Sequence, residues 1–255
     1  MKKTFQWIRI LELLIILFAV LVLAVSVGSA DLSIADSLKI VLSKMPIFGN
    51  LIDISDISTT YEVIIWKVRL PRIVLSALAG AVLAVVGAAF QGVFGNSLAD
   101  PHILGVSSGA ALGATIAMLF GLNAGFLGLG GVGTFAFLGA LMVALMVYNV
   151  AKIGGDISTT NMLLTGTATS TMLSAIISLL MTFNQEQIDK VYMWTMGSFT
   201  AATWEKVLFL FIFAVIGFVI LYGYSGKLNI MMVWEEDAKC LGINTVRTRR
   251  NIIIV

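Results

Sequence analysis

The chain alternates between long apolar stretches without charge and short polar stretches that carry nearly all of its ionisable residues. Five intervals of 18 residues or more contain no Asp, Glu, Lys or Arg: 13–30, 73–99, 101–151, 157–185 and 207–226. A helix needs about 20 mostly apolar residues to cross the hydrocarbon core of a bilayer. The interval 101–151 is too long for one helix, and its glycine-rich stretch 121–133 predicts a turn that divides it.

This pattern predicts an all-α, polytopic membrane helical bundle. Six spanning helices are expected, near residues 10–28, 72–92, 103–121, 134–151, 160–183 and 205–224. A seventh apolar run begins at Asn251 and is too short to cross a bilayer. We therefore expect residues 1–255 to form a single membrane domain that is truncated at its C-terminus. An alternative interpretation of the first apolar run, which ends at Ala30, is a cleaved signal peptide.

Composition strengthens the membrane assignment and excludes several classes of function. Hydrophobic residues make up 59% of the chain and charged residues only 12%, too few to cover the surface of a soluble protein. Sixteen basic against 14 acidic residues leave a net charge of +2, which does not favour nucleic acid as a partner. The single cysteine, Cys240, and the absence of a Cys/His cluster predict neither an internal disulfide nor a metal site, and no cofactor is expected.

The few charges also predict the orientation of the chain in the membrane, and two arginines depart from the expected pattern. Placing the N-terminus in the cytoplasm puts nine of the 16 basic residues inside and seven outside, in the direction of the positive-inside rule. Arg69 and Arg72 oppose this trend, because they lie on the outside at the start of the second span. The spans contain no carboxylate near the membrane midplane, a feature that ion-driven carriers commonly use. No phosphate-binding loop is present, so nucleotide hydrolysis by that route is not expected.

Small residues at four-residue spacing predict close helix packing. The third span carries Gly105, Gly109 and Gly113, and the fifth carries Gly166, Ser170 and Ser174. These stripes favour packing within the subunit, while a face that lines a path or meets a second subunit is the alternative.

The polar stretch 227–250 is the longest that we place in the cytoplasm. Glu235 and Glu236 would lie in the first turn of a short helix that Gly242 ends, and Asn244 would cap a second helix. From the residues alone, this stretch is either a solvated loop or a docking segment for a cytoplasmic partner.

From about residue 60 onward, the chain resembles the FecCD-type permeases, which are membrane subunits of ABC importers for iron chelates, haem and cobalamin. Six stretches carry the resemblance, in the order of the family: Arg69-Leu-Pro-Arg72, Gly87-Ala-Ala-Phe-Gln91 with Asn96-Ser-Leu-Ala-Asp-Pro101, Leu104-Gly-Val-Ser-Ser-Gly109, Leu163-Leu-Thr-Gly166, Trp194-Thr-Met-Gly-Ser-Phe199 and Glu235-Glu-Asp-Ala-Lys-Cys-Leu-Gly242. Two positions depart from the family pattern, since Ser97 replaces a proline and Trp234 replaces a glycine.

The resemblance implies a type II ABC importer permease of about ten membrane helices, of which about six are complete here. It implies a second permease subunit, two cytoplasmic ATPase subunits and an extracellular or periplasmic binding protein as partners, all acting in the lipid bilayer of the cell membrane. The expected cargo is an iron–siderophore complex, with haem or cobalamin next.

The resemblance also assigns roles to individual residues. Arg69 and Arg72 would pair with acidic residues of the binding protein, and Thr159 and Thr160 would lie at the cytoplasmic gate. The residues of the coupling segment, which would sit in a cleft of the ATPase, are Glu235, Glu236, Ala238, Leu241 and Gly242. Two alternatives stay open: an ion-coupled secondary transporter, and an inactive fragment of a permease.

Overall fold

The computed structural model describes the backbone of residues 2–28, 33–44, 52–97, 99–122, 125, 129–152, 159–233, 238 and 240–254. All regular structure in these residues is helical. Ten α-helices have bounds within the described residues and are numbered in chain order: α1 Lys2–Ser26, α2 Ile34–Ser43, α3 Thr59–Val63, α4 Leu70–Phe94, α5 Val106–Leu119, α6 Gly130–Ala151, α7 Thr159–Phe183, α8 Ile188–Thr195, α9 Trp204–Val233 and α10 Thr245–Ile254. A π-helix, Ile64–Arg69, joins α3 to α4, and two 3₁₀ turns are formed by Pro101–Leu104 and Gln185–Gln187.

The predicted all-helical membrane architecture is confirmed. Among the described residues, five helical stretches are long and apolar enough to cross a membrane: Trp7–Ser26, Thr59–Phe94, Gly130–Ala151, Thr160–Phe183 and Trp204–Met232. They correspond to five of the six predicted spans. Their large apolar side chains are widely exposed, as expected for helices that face lipid or another subunit.

The third predicted span, 103–121, differs from the prediction because it is not one helix. Gly105 adopts a left-handed backbone with φ of +70° and separates the 3₁₀ turn Pro101–Leu104 from α5. At about 1.5 Å per residue, the 14 residues of α5 extend only about 21 Å, less than the thickness of the hydrocarbon core.

One compact unit consists of residues 1–78 and 199–207. Its core contains Val25 of α1, Ile40 of α2, and Ile65 and Leu70 around the π-helix, and both Ile40 and Ile65 are fully buried. The α2 helix lies between the uncharged intervals 13–30 and 73–99. This helix begins because the Ser33 hydroxyl accepts a hydrogen bond from the Asp36 backbone N–H at 3.1 Å, and an ion pair of 2.5 Å between Lys44 and Glu62 joins its end to α3.

The second compact unit consists of residues 79–198 and 208–255. Its core is formed by α4, α6, α7, α9 and α10 together with the 3₁₀ turn, and Val147 and Met162 are fully buried in it. The closest helix packing is between α5 and α6. A Cβ atom on Gly109 would lie only 2.6 Å from the backbone oxygen of Gly139, so these helices are in backbone contact.

Candidate functional site

The Arg69-Leu-Pro-Arg72 stretch lies where the π-helix passes into α4. The Leu70 N–H bonds to the Ile65 carbonyl, five residues back, instead of to the Trp66 carbonyl as it would in an α-helix. The next possible backbone donor is residue 71, but Pro71 has no N–H. The widened turn therefore leaves the Trp66 carbonyl open to a donor from elsewhere in the fold.

Trp204, the first residue of α9, supplies that donor. Its indole N–H donates to the Trp66 carbonyl at 2.9 Å, and the two indole rings pack with centroids 5.4 Å apart and planes inclined by 41°. The start of α9 is thereby joined to the π-helix by a hydrogen bond and an aromatic contact.

Arg69 is partly buried and binds the C-terminal end of α1. One terminal nitrogen of its guanidinium donates to the carbonyls of Val25 at 2.8 Å and Ser26 at 3.0 Å. The last carbonyls of a helix lack intrahelical donors and carry partial negative charge, so a guanidinium satisfies both needs. Gly28 lies against this guanidinium, because a Cβ atom on Gly28 would stand 2.6 Å from the Cζ atom of Arg69.

Arg72 has a different environment from Arg69. It is exposed, and its guanidinium donates to the Thr200 carbonyl at 3.3 Å. Lys206, in the first turn of α9, donates from its ammonium to the carbonyl of the next residue, Ala201, at 2.6 Å. The two cations thus bind consecutive carbonyls of the short segment that precedes α9.

One carboxylate in the polar stretch before α3 has a perturbed pKa. The Ser55 hydroxyl and the Ser55 backbone N–H both donate to the Asp53 carboxylate, the latter at 2.9 Å. These bonds stabilise the ionised form and hold the pKa of Asp53 below its ordinary value.

The described part of the predicted coupling segment, residues 238 and 240–242, ends in a turn before α10. Ala238 is fully buried and Leu241 is 68% exposed. Gly242 has φ of +78°, and the Ile243 N–H bonds to the Ala238 carbonyl at 3.0 Å, which is the hydrogen bond of a Schellman turn. The predicted C-terminal stop at Gly242 is confirmed, while Glu235 and Glu236 lie outside the described residues.

The predicted cap at Asn244 is also confirmed. Its side-chain oxygen accepts a hydrogen bond from the Arg247 N–H at 2.9 Å, which starts α10. The α10 helix is anchored by the buried side chains of Thr245, Thr248 and Ile252, and Asn251 donates to the Tyr224 hydroxyl of α9 at 2.8 Å. Leu241 is therefore an exposed apolar side chain on a turn whose flanks are held in place.

The predicted gate residues begin α7. Thr159 is its first residue, and only its backbone is described, whereas Thr160 is exposed. Their role at a gate stays a prediction.

The small-residue stripes differ along their length. Gly105 lies close to α7, since a Cβ atom there would be 2.9 Å from the Ser170 hydroxyl and 3.4 Å from the Gly166 carbonyl. Gly109 and Gly113 pack against the backbone of α6 near Gly139 and Phe135. Ser174 is exposed, so its part in packing stays a prediction.

Sequence reasoning missed four residues that shape this region: Gly28, Trp66, Lys206 and Trp204. Gly28, Trp66 and Trp204 make contacts between positions more than 40 residues apart, and Lys206 bonds to a carbonyl of the segment that precedes α9. The available signal was Pro71, since a proline near a helix start predicts a carbonyl without its backbone donor.

Comparisons with known proteins agree with the all-helical membrane fold. The model of the FecCD transport family matches residues 14–255. The chain is 40% identical over 196 residues to the cobalamin import system permease protein of Halobacterium salinarum, covering 77% of this chain and 52% of that protein. It is 32% identical over 247 residues to the molybdate import system permease protein of Haemophilus influenzae, covering 96% of this chain and 69% of that protein.

A solved structure also matches. An ABC transporter of the metal-chelate type in an inward-facing conformation superposes with a TM-score of 0.77 and 30% identity, covering 96% of this chain and 70% of that one. The chain thus spans between half and about two thirds of the length of these proteins.

Proposed function

Because the chain belongs to the FecCD transport family, we propose that it acts as the membrane-spanning, non-catalytic permease subunit of an ATP-driven importer. The observation that carries this proposal is the family match over residues 14–255, together with five helical stretches able to span a membrane. ATP would be hydrolysed by separate cytoplasmic ATPase subunits, and a second permease subunit would complete the translocation path. The protein would be multi-pass in the cell membrane with its N-terminus in the cytoplasm.

The substrate-binding protein would dock at the turn that carries Arg69 and Arg72. An exposed guanidinium such as that of Arg72 suits a carboxylate, because its planar donors match the two oxygens. Arg69 is partly buried against the end of α1, so its direct contribution would be smaller than that of Arg72.

The ATPase would bind the turn between Ala238 and Asn244. An apolar side chain that is 68% exposed on a turn with a buried base is the arrangement expected for insertion into a cleft, and Leu241 has it. Glu235, Glu236 and Gly242 would complete this coupling segment, and Thr159 and Thr160 would line the cytoplasmic gate.

The cargo would be a metal chelate, with an iron–siderophore complex first and haem or cobalamin next. Support comes from the named relatives, which import cobalamin and molybdate, and from the metal-chelate type of the solved neighbour. Since these cargoes differ greatly in size and charge, the family fold itself does not select one of them.

The experiment is reconstitution of the intact permease with its cognate ATPase and binding protein, in vesicles loaded with ATP. We expect uptake of the ligand that co-purifies with the binding protein, and loss of uptake when the ATPase carries a Walker lysine substitution. Uptake that persists without ATP and follows an imposed ion gradient would instead establish a secondary transporter. Failure of the ATPase to co-purify with the permease would remove the main support for the importer.

A further inference from the structure

We propose that Lys206 is the second cation of the docking surface, acting with Arg72, and that Arg69 acts by holding α1 in position. This inference rests on the proposed function, because it identifies which side chains of the docking turn meet the binding protein. Lys206 lies far from the Arg69-Leu-Pro-Arg72 stretch in sequence and is outside every stretch that carries the family resemblance.

The two cations bind one short segment of the chain. The guanidinium of Arg72 binds the Thr200 carbonyl at 3.3 Å, and the ammonium of Lys206 binds the adjacent Ala201 carbonyl at 2.6 Å. Carbonyls of neighbouring residues are only a few ångströms apart. Both positive charges are therefore bound to the same short segment that precedes α9.

No carboxylate of the described residues neutralises either of these two cations. Within the part of the chain that the structure describes, neither Arg72 nor Lys206 forms an ion pair with a carboxylate; each bonds to a backbone carbonyl. Glu205 is adjacent to Lys206 on α9, but successive residues of a helix do not face each other. An anionic group supplied from outside would complement both positive charges.

Each of the two cations lies close in sequence to a residue that is fixed in place. Trp204 lies two residues before Lys206 and is fixed to the Trp66 carbonyl, while Pro71 immediately precedes Arg72. The Trp204–Trp66 contact before Lys206 and the rigid Pro71 before Arg72 therefore position both cations before any partner arrives. This lowers the loss of conformational entropy on binding. A lysine in the first turn of a helix is opposed by the helix dipole, so the stability of α9 does not explain its presence.

Arg69 differs from Arg72 and Lys206 in what it binds. Its guanidinium donates to two carbonyls of α1 that lie 44 and 43 residues away in the chain, and it lies against Gly28, so it holds α1 to the π-helix. Lys206 is also half-buried, but its ammonium bonds to a carbonyl only five residues away. Replacing it should loosen the end of α1 and affect stability more than affinity.

The occupant that this surface fits is an acidic side chain of the binding protein. One carboxylate can accept from a guanidinium with one oxygen and from an ammonium with the other, which gives both orientation and charge complementarity.

The test measures docking of the binding protein to the intact permease–ATPase complex in nanodiscs of phosphatidylcholine. The variants are Lys206→Gln and Arg72→Gln, with Lys39→Gln as a matched control on the exposed side of α2. We expect the first two each to weaken docking by about 10-fold at moderate salt, and Lys39→Gln by less than about 2-fold. Because both cations would serve one carboxylate, the double variant should lose less than the product of the single losses.

Two further measurements separate the possible results. Lys206→Arg should retain most of the affinity, and thermal unfolding of each variant should stay close to that of the parent. If Arg72→Gln weakens docking but Lys206→Gln does not, this inference is overturned and the proposed function stands. If the parent complex does not bind the binding protein at all, both are overturned.

A last arm distinguishes a lipid from a protein as the source of the anion. In nanodiscs that contain phosphatidylglycerol, Lys206→Gln should reduce docking as it does in phosphatidylcholine. An unchanged affinity for the binding protein, together with loss of bound phosphatidylglycerol, would assign the two cations to a lipid headgroup and overturn the inference.

Discussion

The indole N–H of Trp204 donates a hydrogen bond of 2.9 Å to the backbone carbonyl of Trp66, which has no backbone donor because Pro71 lacks an N–H. The consequence is a connection between the start of α9 and the π-helix that precedes α4. Both cations of the proposed docking surface are within a few residues of this connection in sequence, so its loss should be detectable in stability and in docking.

Trp204→Phe retains an aromatic ring but removes the donor. Loss of one hydrogen bond costs about 0.5–1.5 kcal/mol, so we expect the complex to unfold at a lower temperature. The measurement is thermal unfolding in detergent, with Trp7→Phe as the control because Trp7 is 70% exposed on α1. An unfolding temperature equal to that of the Trp7→Phe variant would contradict the role given to the indole N–H.

Gly28→Ala should displace the Arg69 side chain. A methyl group at residue 28 would stand 2.6 Å from the Cζ atom of Arg69, and the flexible guanidinium would move away from the Val25 and Ser26 carbonyls. We expect a loss of about 1 kcal/mol in the free energy of unfolding, measured by chemical denaturation in micelles. The matched control is Gly80→Ala, since a Cβ atom at Gly80 would meet no atom within 4 Å.

Gly109→Ala tests the packing of α5 against α6. The new methyl group would lie 2.6 Å from the Gly139 backbone oxygen, and a backbone atom cannot move aside as a side chain can. We expect a loss of at least about 2 kcal/mol and reduced yield of folded protein, measured by size-exclusion chromatography and denaturation. Gly80→Ala should leave both unchanged or slightly improved, because alanine is favoured over glycine in a helix.

Leu241→Asn tests the coupling turn. Since Leu241 is 68% exposed, its replacement should leave folding unchanged while it removes the apolar contact with the ATPase. We expect association of the ATPase to weaken by about 10-fold, measured by co-purification at graded concentrations. The neighbouring exposed Cys240→Ser variant is the control, and equal retention of the ATPase by both variants would refute a contact at Leu241.

Ser37→Ala should stabilise the unit that contains α2. The Ser37 side chain is fully buried, and its hydroxyl has no hydrogen-bond partner among the described residues. Removing an unsatisfied buried hydroxyl is worth about 1 kcal/mol. The unfolding temperature should rise, and a Ser43→Ala variant should lower it slightly because that hydroxyl bonds to the Ile40 carbonyl at 2.8 Å.

The helices of the membrane region were predictable because charges are excluded from the hydrocarbon core, so gaps between charges mark the spans. Local cap chemistry also identified Gly242 and Asn244. The short helices α2 and α8 were missed because each lies within a polar stretch and gains its stability from a few buried residues, such as Ile40 and Val191. The Trp204–Trp66 contact joins residues 138 positions apart, and no local pattern indicates such a pairing.

The break at Gly105 has a consequence for the surrounding lipid. A 14-residue helix cannot reach across the bilayer, and the adjoining turn Pro101–Leu104 leaves backbone groups that hydrocarbon cannot satisfy. Leu104 is 2% exposed, so protein already covers part of this turn. Where residues 101–105 lie within the depth of the hydrocarbon core, protein or water, and not acyl chains, must contact their backbone.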